Sequence, residues 1–583
     1  MSQWNLDVGP LLRYDTVDAN GVYHAFALIV TDHASPSEQV SAPVLRYTPL
    51  LADEQGPQVS GQTMQSQAAQ IWAYADESGR LHRFWRFKLE IQLIEYAQVV
   101  AYDIPGACEA TQFHVPARQE NFRWAGHSCN GFSSSTPTEE WNGADPLWND
   151  LLAEHAKKPF HMCMGGGDQL YNDKIANEEE LTGVLNSDNS KPNMTPVTDE
   201  IATAIDRFLF FNYKKWFGSG SFSKAASQIP MVNMLDDHDL IDGFGTYPDD
   251  LMKSPVFNHI GSRGYFFYLL FQQFMNDEAD SISNSDTSNP NPSPFLSLVI
   301  GGPGAFIPYP THSLIVYLGP KQAMLLIDCR AQRKLKQVCA PDTYKRCFDA
   351  VRKLPASVEH LIIQLGVPLA YPRMVTLEKI LESKYNPIVK LAKWLLPAFT
   401  NNFNGQVELL DDLNDHWCAA HHKRERNWLI ERTQELSLER KLRITFISGD
   451  VHAGGCGVFY SARSLHPERD YRYSLAVITS AIVNAPPPAP VITMVNTLAA
   501  KKHRSLFYVH TREKMLPLFK YDLEDKKQRN KYIIGARNWC EANLNEKGEL
   551  VFDLHVEKAK GAGETKVYSM TAPPPMFQQK LKK

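Results

Sequence analysis

Three short polar motifs hold the residues of this chain that are best suited to chemistry, and each motif follows an apolar run. They are Gly-Asp-Gln-Leu-Tyr at residues 167–171, Asp-Asp-His-Asp at 236–239 and Gly-Asp-Val-His at 449–452. Short apolar runs bounded by Gly and Asp are typical of strands buried in a sheet. Because ligands of open α/β sheets bind at the carboxyl ends of the strands, we expect the motifs to meet in one crevice. Carboxylates crowd together at a net cost unless cations neutralise them, so the motifs predict a metal site.

The first motif combines a carboxylate with a phenol. Asp168 follows three glycines at 165–167, which allow the backbone to turn sharply off the strand. Tyr171 can turn its phenol towards the same point, and a phenolate needs a highly charged ion to lower its pKa from about 10. Ferric iron suits such a ligand. The alternative interpretation is a turn in which Asp168 caps the next helix and Tyr171 packs in the core.

The second motif places Asp237 and His238 side by side after a predicted strand. If Asp237 binds a metal ion, His238 can reach the substrate and act as a general acid near neutral pH. An EF-hand loop is excluded, because counting from Asp237 puts Asp242 where Gly is required and Pro248 at the closing Glu. A solvated acidic turn stays open as the alternative.

The third motif offers Asp450 and His452, which are two positions apart. Both side chains point the same way if the backbone is extended there. Glycines at 454, 455 and 457 let the following loop approach an anion closely. A lone Asp-x-His pair is a weak signal, but three motifs in matching strand-end positions support one another.

The ordered set of motifs resembles the alkaline phosphatase D (PhoD-like) branch of the metallophosphoesterases. The resemblance extends from about Trp124 to Tyr508. It is carried by Ser-Cys at 128–129, Gly-Asp-x-x-Tyr at 167–171, Asp-Asp-His-Asp at 236–239, Leu-Ile-Asp-Cys-Arg at 326–330 and Gly-Asp-Val-His at 449–452. Asp239 departs from the family, which has a Glu, one methylene longer, at that place.

The resemblance also implies a set of metal ligands. In the family a thiolate, a carboxylate, a phenolate and an imidazole bind a ferric ion, and the corresponding residues here are Cys129, Asp168, Tyr171 and His452. The second ion, calcium or another divalent metal, is then held by Asp168 as a bridge together with Asp237 and Asp450. Hard cations prefer carboxylates, whereas thiolate, imidazole and phenolate suit iron.

These residues predict a metal-dependent phosphoesterase that hydrolyses phosphomonoesters, phosphodiesters or both through a metal-bridging hydroxide. We expect His238 to donate a proton to the leaving oxygen. Arg330 can hold the phosphate bidentately, because guanidinium matches that geometry, although a structural ion pair is an equal alternative for it. Two other functions stay open: a catalytically inactive metal-binding scaffold of the same fold, and a different metallohydrolase. The absence of His-Glu-x-x-His disfavours a zinc peptidase.

The predicted fold class is α/β, with two structured parts. Residues 1–118 show alternating strands separated by turns and predict a small N-terminal β-sandwich domain. Residues 119–572 alternate apolar strands with amphipathic helices and predict a layered α/β/α-type metallophosphatase sandwich. Residues 573–583 are predicted to be a flexible tail. The acidic segment 411–417 either approaches the site or forms an exposed turn.

Composition limits the cellular setting and the partners. The chain has 583 residues, enough for two or more domains, and a net charge of -5 gives no reason to expect nucleic acid as the main partner. We expect a small-molecule phosphoester as partner. The apolar stretch 263–275 is too short to span a membrane. No signal peptide or twin-Arg pair is visible, and nine scattered cysteines favour a reducing compartment, so the expected location is the cytoplasm.

Overall fold

Two large mixed sheets form the centre of the protein. The computed structural model describes residues 4–34, 40–51, 62–134, 136–185, 194–280, 294–373, 415–505 and 510–577. The first sheet runs, in spatial order, β24 (Thr565–Ala572), β23 (Leu550–Glu557), β22 (Asn538–Leu544), β9 (Trp124–His127), β10 (Met162–Gly165), β11 (Met231–Asn233), β1 (Asn5–Val17), β2 (Val22–His33), β6 (Leu81–Gln92) and β5 (Ala69–Ala75). Its three central strands β9, β10 and β11 are parallel.

The second large sheet contains another set of parallel central strands. Its order is β12 (Leu298–Pro303), β13 (Pro310–Tyr317), β14 (Gln322–Leu326), β15 (His360–Gln364), β16 (Arg443–Ser448), β18 (Ser474–Ile478), β17 (Gly454–Ser461), β20 (Thr511–Met515) and β19 (His503–Ser505), with β21 (Ile533–Ile534) paired to β17. A third, small sheet has the order β4 (Met64–Gln67), β3 (Val44–Leu51), β7 (Gln98–Ile104) and β8 (Cys108–Val115).

Helices cover the outer faces of the sheets. The α-helices are α1 (Asp145–Lys157), α2 (Glu179–Leu185), α3 (Asp199–Gly218), α4 (Gly220–Gln228), α5 (Asp249–Met252), α6 (Pro255–Gln272), α7 (Asp277–Asp280), α8 (Pro341–Arg352), α9 (Lys423–Arg440) and α10 (Ala489–Ala499). Short 3-10 helices lie at Thr138–Trp141, Asp173–Asn177, Asp237–Asp239 and Pro467–Arg469. Within the described ranges, no helix is both long and apolar enough to cross a membrane.

The period of two along the strands explains how the layers stack. In the second sheet, Met324 and Ile362 join the core shared with the first sheet. Their neighbours Leu325 and Ile363 belong to a separate cluster with residues of α8 and α9. The two large sheets therefore face each other, with helices outside them. The prediction of an α/β fold is correct, but the predicted α/β/α layering has to be corrected, because the centre holds two sheets.

The N-terminal strands continue the first sheet. β1 pairs in parallel with β11 at Arg13 and Met231, so the chain before residue 118 extends the central layer. The small sheet packs against this extension, with the rings of Tyr23 and Phe113 6.4 Å apart. Residues 1–118 are β-rich as predicted, but half of their strands belong to the main sheet instead of a separate sandwich. Periodicity predicts strands and their buried faces, and it carries no information on pairing between residues 200 positions apart.

The first residues of the predicted tail are packed. Met576 donates its backbone N–H to the carbonyl of Glu468 at 2.9 Å, and Phe577 is buried beside the guanidinium of Arg443. A flexible tail therefore does not begin at residue 573, and residues 578–583 lie outside the described ranges.

Candidate metal centre

The three motifs follow parallel strands of two facing sheets. Cys129 comes after β9, Asp168 after β10 and Asp237 after β11 in the first sheet, whereas Asp450 and His452 follow β16 in the second. The predicted apolar strands before the motifs are confirmed as β10, β11 and β16. The site thus lies where the carboxyl ends of two sets of strands face each other.

Two overlapping groups of side chains that could bind a metal ion lie at this place. Asp168, Asp237 and His238 offer ligand atoms that all lie within 4.8 Å of one another, and so do Asp236, Asp237 and Asp450. Asp237 belongs to both groups. Four of these five side chains come from the first sheet, and Asp450 is supplied by the second. We call Asp236, Asp237 and Asp450 the carboxylate side of the site.

Cys129, Tyr171 and His452 form a second side of the site, which we call the thiol–phenol side. The Sγ of Cys129 lies 3.4 Å from Oδ2 of Asp168, and the phenol oxygen of Tyr171 lies 3.1 Å from Nε2 of His452. Cys129 and Tyr171 also share a small buried cluster. Asp168 therefore stands between the two sides of the site.

The backbone at four of the predicted ligands is left-handed. The φ angles are 54° at Cys129, 54° at Asp168, 70° at Asp450 and 49° at His452. Residues other than glycine rarely adopt this conformation, and they do so mostly at functional sites, where the surrounding structure holds them. Gly167 also has a positive φ, of 120°. A Cβ at this position would lie 2.6 Å from Cβ of Asp236, so only glycine fits there.

Burial keeps the thiol–phenol side neutral. It raises the pKa of the Cys129 thiol and of the Tyr171 phenol well above their usual values, and the negative charge of Asp168 adds to both shifts. Burial, with a further contribution from His238, lowers the pKa of His452 to about 3, so its ring is a neutral imidazole ready to coordinate. These three groups fit a metal ion that would supply the missing positive charge.

Asp168 also fits a cation. Burial raises its pKa well above the usual range, as do its neighbours Asp237, Asp236 and Asp239, although His238 opposes this. Its Oδ1 is buried and has no hydrogen-bond partner among the described residues. A buried carboxylate oxygen without a donor is costly, and a bound metal ion would remove that cost.

His238 is held by a residue that the sequence analysis missed. Its Nδ1 donates to Oδ2 of Asp173 at 2.8 Å, and its ring lies 4.2 Å from that of Tyr171. Burial alone would lower the pKa of His238, but Asp173, Asp237 and Asp168 raise it well above its usual value. In the sequence, only the position of Asp173 two residues after Tyr171 pointed to a role at the site. In the structure Asp173 begins the 3-10 helix Asp173–Asn177.

A comparison with protein families gives a match over most of the chain. Residues 95–390 and 389–570 match the family described as PhoD related phosphatase. The chain belongs to this family. The predicted resemblance to PhoD-like proteins is therefore confirmed.

Two known proteins are similar to this chain, one in sequence and one in fold. The uncharacterized protein YGR266W of Saccharomyces cerevisiae is 35% identical over 501 residues, which cover 79% of this chain and 70% of the yeast protein. The solved structure of PhoD superposes with a TM-score of 0.54 over 100% of this chain and 95% of that chain, at 10% identity. The second match concerns the fold alone.

Arg330 is completely buried in ion pairs. It donates two hydrogen bonds to Asp415, at 2.9 and 2.6 Å, one to Asp237 at 3.3 Å and one to Asp236. Its guanidinium is 0% exposed, so its donors face carboxylates of the protein. This geometry favours a structural ion pair, the second of the two roles considered for Arg330.

Residues 415–417 of the acidic segment 411–417 lie close to the site. Asp415 pairs with Arg330 and Arg333, and Nε2 of His416 lies 3.6 Å from Oδ2 of Asp450. Burial would raise the pKa of Asp415, but the two guanidinium groups hold it far below its usual range. Residues 411–414 lie outside the described ranges. No sequence signal distinguished this segment from an exposed acidic turn.

Asp239, which stands where the family has Glu, joins two of the motif loops. Its carboxylate accepts hydrogen bonds from the backbone N–H groups of Asp168 at 2.8 Å, Gln169 at 3.0 Å and Asp236 at 2.8 Å. Gln272 of α6 donates a fourth at 2.8 Å. The shorter side chain thus fixes the first motif to the second.

Proposed function

We propose that this chain is a metal-dependent phosphoesterase that hydrolyses phosphomonoesters, phosphodiesters or both. One observation carries the proposal. Asp168 and Asp237 of the first sheet and Asp450 of the second converge on a buried centre around Asp237, and a buried oxygen of Asp168 lacks a donor among the described residues. Such an arrangement is costly in a folded protein unless it binds cations.

The two sides of the site suit different metal ions. We assign Cys129, Tyr171 and His452, together with Asp168, to a ferric ion, because thiolate, phenolate and imidazole are iron ligands. We assign the remaining oxygens, from Asp168, Asp237 and Asp450, to calcium or another divalent ion that prefers carboxylates. When bound, such cations would activate a coordinated water as the nucleophile and stabilise charge on the phosphate.

The chain itself supplies the proton. Asp173 accepts the Nδ1–H of His238, which leaves Nε2 as the atom that can donate to the leaving oxygen. The carboxylates around His238, first of all Asp173, raise its pKa above the usual value, which favours the protonated ring. A protonated donor is what the departing alkoxide requires, and the requirement is greatest for poor leaving groups.

Arg330 acts in this proposal as a positioning residue for the carboxylate side. Its buried charge compensates Asp236, Asp237 and Asp415, so that Asp237 keeps its orientation without metal. The segment after residue 414 contacts the same centre at two points. Asp415 pairs with Arg330, and His416 lies beside Asp450. Contacts to the phosphate would come from the bound metal ions, and His238 would stand beside the leaving oxygen.

The cellular setting proposed for this enzyme is the cytoplasm. All nine cysteines are free thiols, which supports a reducing compartment. The proposed partner is a small-molecule phosphoester.

The test is metal analysis of the purified full chain together with a panel of phosphomonoesters and phosphodiesters. We expect iron and a second metal to copurify, and turnover that depends on both. Metal binding without turnover of any phosphoester would instead support the inactive scaffold, and turnover of carboxylic esters or amides alone would support a different metallohydrolase.

A further inference from the structure

Ser480 lies between two of the predicted metal ligands. Its Oγ is 3.1 Å from Sγ of Cys129, and it accepts the backbone N–H of His452 at 3.0 Å. Cys129 follows β9 of the first sheet, whereas His452 follows β16 of the second. One fully buried hydroxyl therefore joins two ligands that come from the two facing sheets.

The hydrogen of the Ser480 hydroxyl is available to the sulfur of Cys129. A serine hydroxyl has one hydrogen to donate and two lone pairs that accept. The N–H of His452 uses one of the lone pairs, which leaves the hydrogen for Cys129. A sulfur that has lost its proton can only accept, so the hydrogen bond to a metal-binding thiolate runs from Ser480 to Cys129.

A second hydroxyl near the same sulfur is already committed elsewhere. Oγ of Ser128 lies 3.4 Å from Sγ of Cys129, but it donates its hydrogen to the carbonyl of Thr479 at 2.9 Å. A third neighbour, Oδ2 of Asp168 at 3.4 Å, brings negative charge and cannot stabilise a thiolate. Ser480 is thus the hydroxyl that can stabilise the ionised sulfur.

The backbone of Ser480 is fixed independently of its side chain. Its N–H donates to Oδ1 of Asn538 at 3.1 Å, and its carbonyl accepts a hydrogen bond from Nδ2 of the same residue. Asn538, the first residue of β22, also donates its own N–H to the carbonyl of Ala481 at 2.8 Å. These three hydrogen bonds hold the hydroxyl at the sulfur, and all three are kept when the hydroxyl is removed.

We propose that Ser480 is a positioning residue for a ferric ion on the thiol–phenol side. Its hydroxyl donates to the thiolate of Cys129 and holds the backbone of His452, so it acts through these two ligands and not on the substrate. A hydrogen bond to a coordinating sulfur withdraws electron density from it, and such outer contacts orient ligands and tune the metal. The inference rests on the proposed function, which assigns iron to this side.

The experiment is visible absorption and resonance Raman spectroscopy of the full-length protein purified with its iron. Ser480→Ala removes the donor, so the sulfur-to-iron charge-transfer band should move to longer wavelength, because a thiolate without that hydrogen bond gives up an electron more readily. In the Raman spectrum the iron–sulfur vibrations should shift, whereas the ring modes of Tyr171 should not. Competition with a chelator should show an iron affinity about 10- to 100-fold lower.

Neighbouring hydroxyls provide matched controls. Thr479→Val removes a buried hydroxyl that has no hydrogen-bond partner among the described residues, and it should leave the band and the iron affinity unchanged. Ser128→Ala removes the hydroxyl whose hydrogen goes to Thr479, and it should shift the band less than Ser480→Ala does. Ser480→Thr keeps the hydroxyl and should restore most of the change. Circular dichroism of every variant checks that the fold is retained.

The role of Ser480 and the proposed function fail on different results. An unchanged sulfur-to-iron band in Ser480→Ala, or an equal shift in Thr479→Val, would overturn the role of Ser480. Equal shifts in Ser480→Ala and Ser480→Thr would overturn it too, since the shape of the side chain and not its hydroxyl would then be responsible. Unmodified protein without a charge-transfer band would contradict the iron assignment and the role of Ser480 together. Bands that respond as expected in a protein without turnover would support Ser480 and count against the phosphoesterase alone.

Discussion

The two sides of the metal centre balance their buried charges in different ways. On the carboxylate side, the guanidinium of Arg330 compensates Asp236 and Asp237 within the protein. On the thiol–phenol side, burial keeps Cys129 and Tyr171 protonated, and no Lys or Arg among the described residues pairs with either. One side is thus preorganised by a permanent cation, whereas the other ionises only when a metal ion displaces its protons.

This contrast separates residues that bind metal from residues that hold the site together. A side chain on the border, such as Asp168, should affect both sides, whereas Arg330 should affect stability more than metal content. His238 and Asp173 should affect the rate of turnover without changing stability or metal content. The following substitutions test these distinctions, from the largest expected effect to the smallest.

Asp168→Ala should abolish turnover and remove both metal ions, because Asp168 lies between the two sides of the site. Metal content by elemental analysis and turnover of a nitrophenyl phosphate check this. The protein should stay folded, since its backbone N–H bond to Asp239 is retained. If the variant keeps both metal ions, Asp168 does not bridge them.

His238→Ala should keep both metal ions and lower the rate roughly 100- to 10,000-fold, the usual contribution of a general acid. The loss should be largest for substrates with poor leaving groups, so a series of aryl phosphates measures it directly. Turnover that is unchanged across the series would exclude His238 as the proton donor.

Arg330→Ala should destabilise the protein by about 3–5 kcal/mol, because it leaves Asp236 buried without a cation and Asp415 with Arg333 alone. Chemical denaturation followed by fluorescence measures the free energy of unfolding. The matched control is Arg352→Ala, which breaks an exposed pair with Glu439 and should cost less than about 1 kcal/mol. Similar losses in both variants would mean that the buried network does not stabilise the fold.

Asp173→Asn should lower the rate roughly tenfold, because the amide holds Nδ1 of His238 without a negative charge. Metal content should not change, since Asp173 contacts neither side of the site directly. The double variant with His238→Ala should be no slower than His238→Ala alone. Additive losses would show that Asp173 acts on something other than His238.

The sequence predicted the parts of the site that are coded locally. A buried strand ending in Gly and Asp is visible within ten residues, and β10, β11 and β16 lie where the apolar runs placed them. The residues that hold the ligands in place, such as Asp415, have no recognisable pattern in the sequence. Asp415 is 85 positions from Arg330, and a single Asp in an acidic segment looks the same whether it pairs or is solvated.

The fold shows the same difference between what local sequence patterns predict and what depends on contacts between distant residues. The sequence by itself predicted the buried strands before the three motifs and an α/β fold class, because burial periodicity is a property of the residues. The ligand sets proposed for iron and for a divalent ion came from the resemblance to the family. Only the tertiary structure decided that two sheets face each other, that the N-terminal strands extend one of them through Arg13 and Met231, and that Asp173, Asp239 and Asp415 hold the site. Strand pairing and ion pairs depend on distances in space, which the order of residues does not encode.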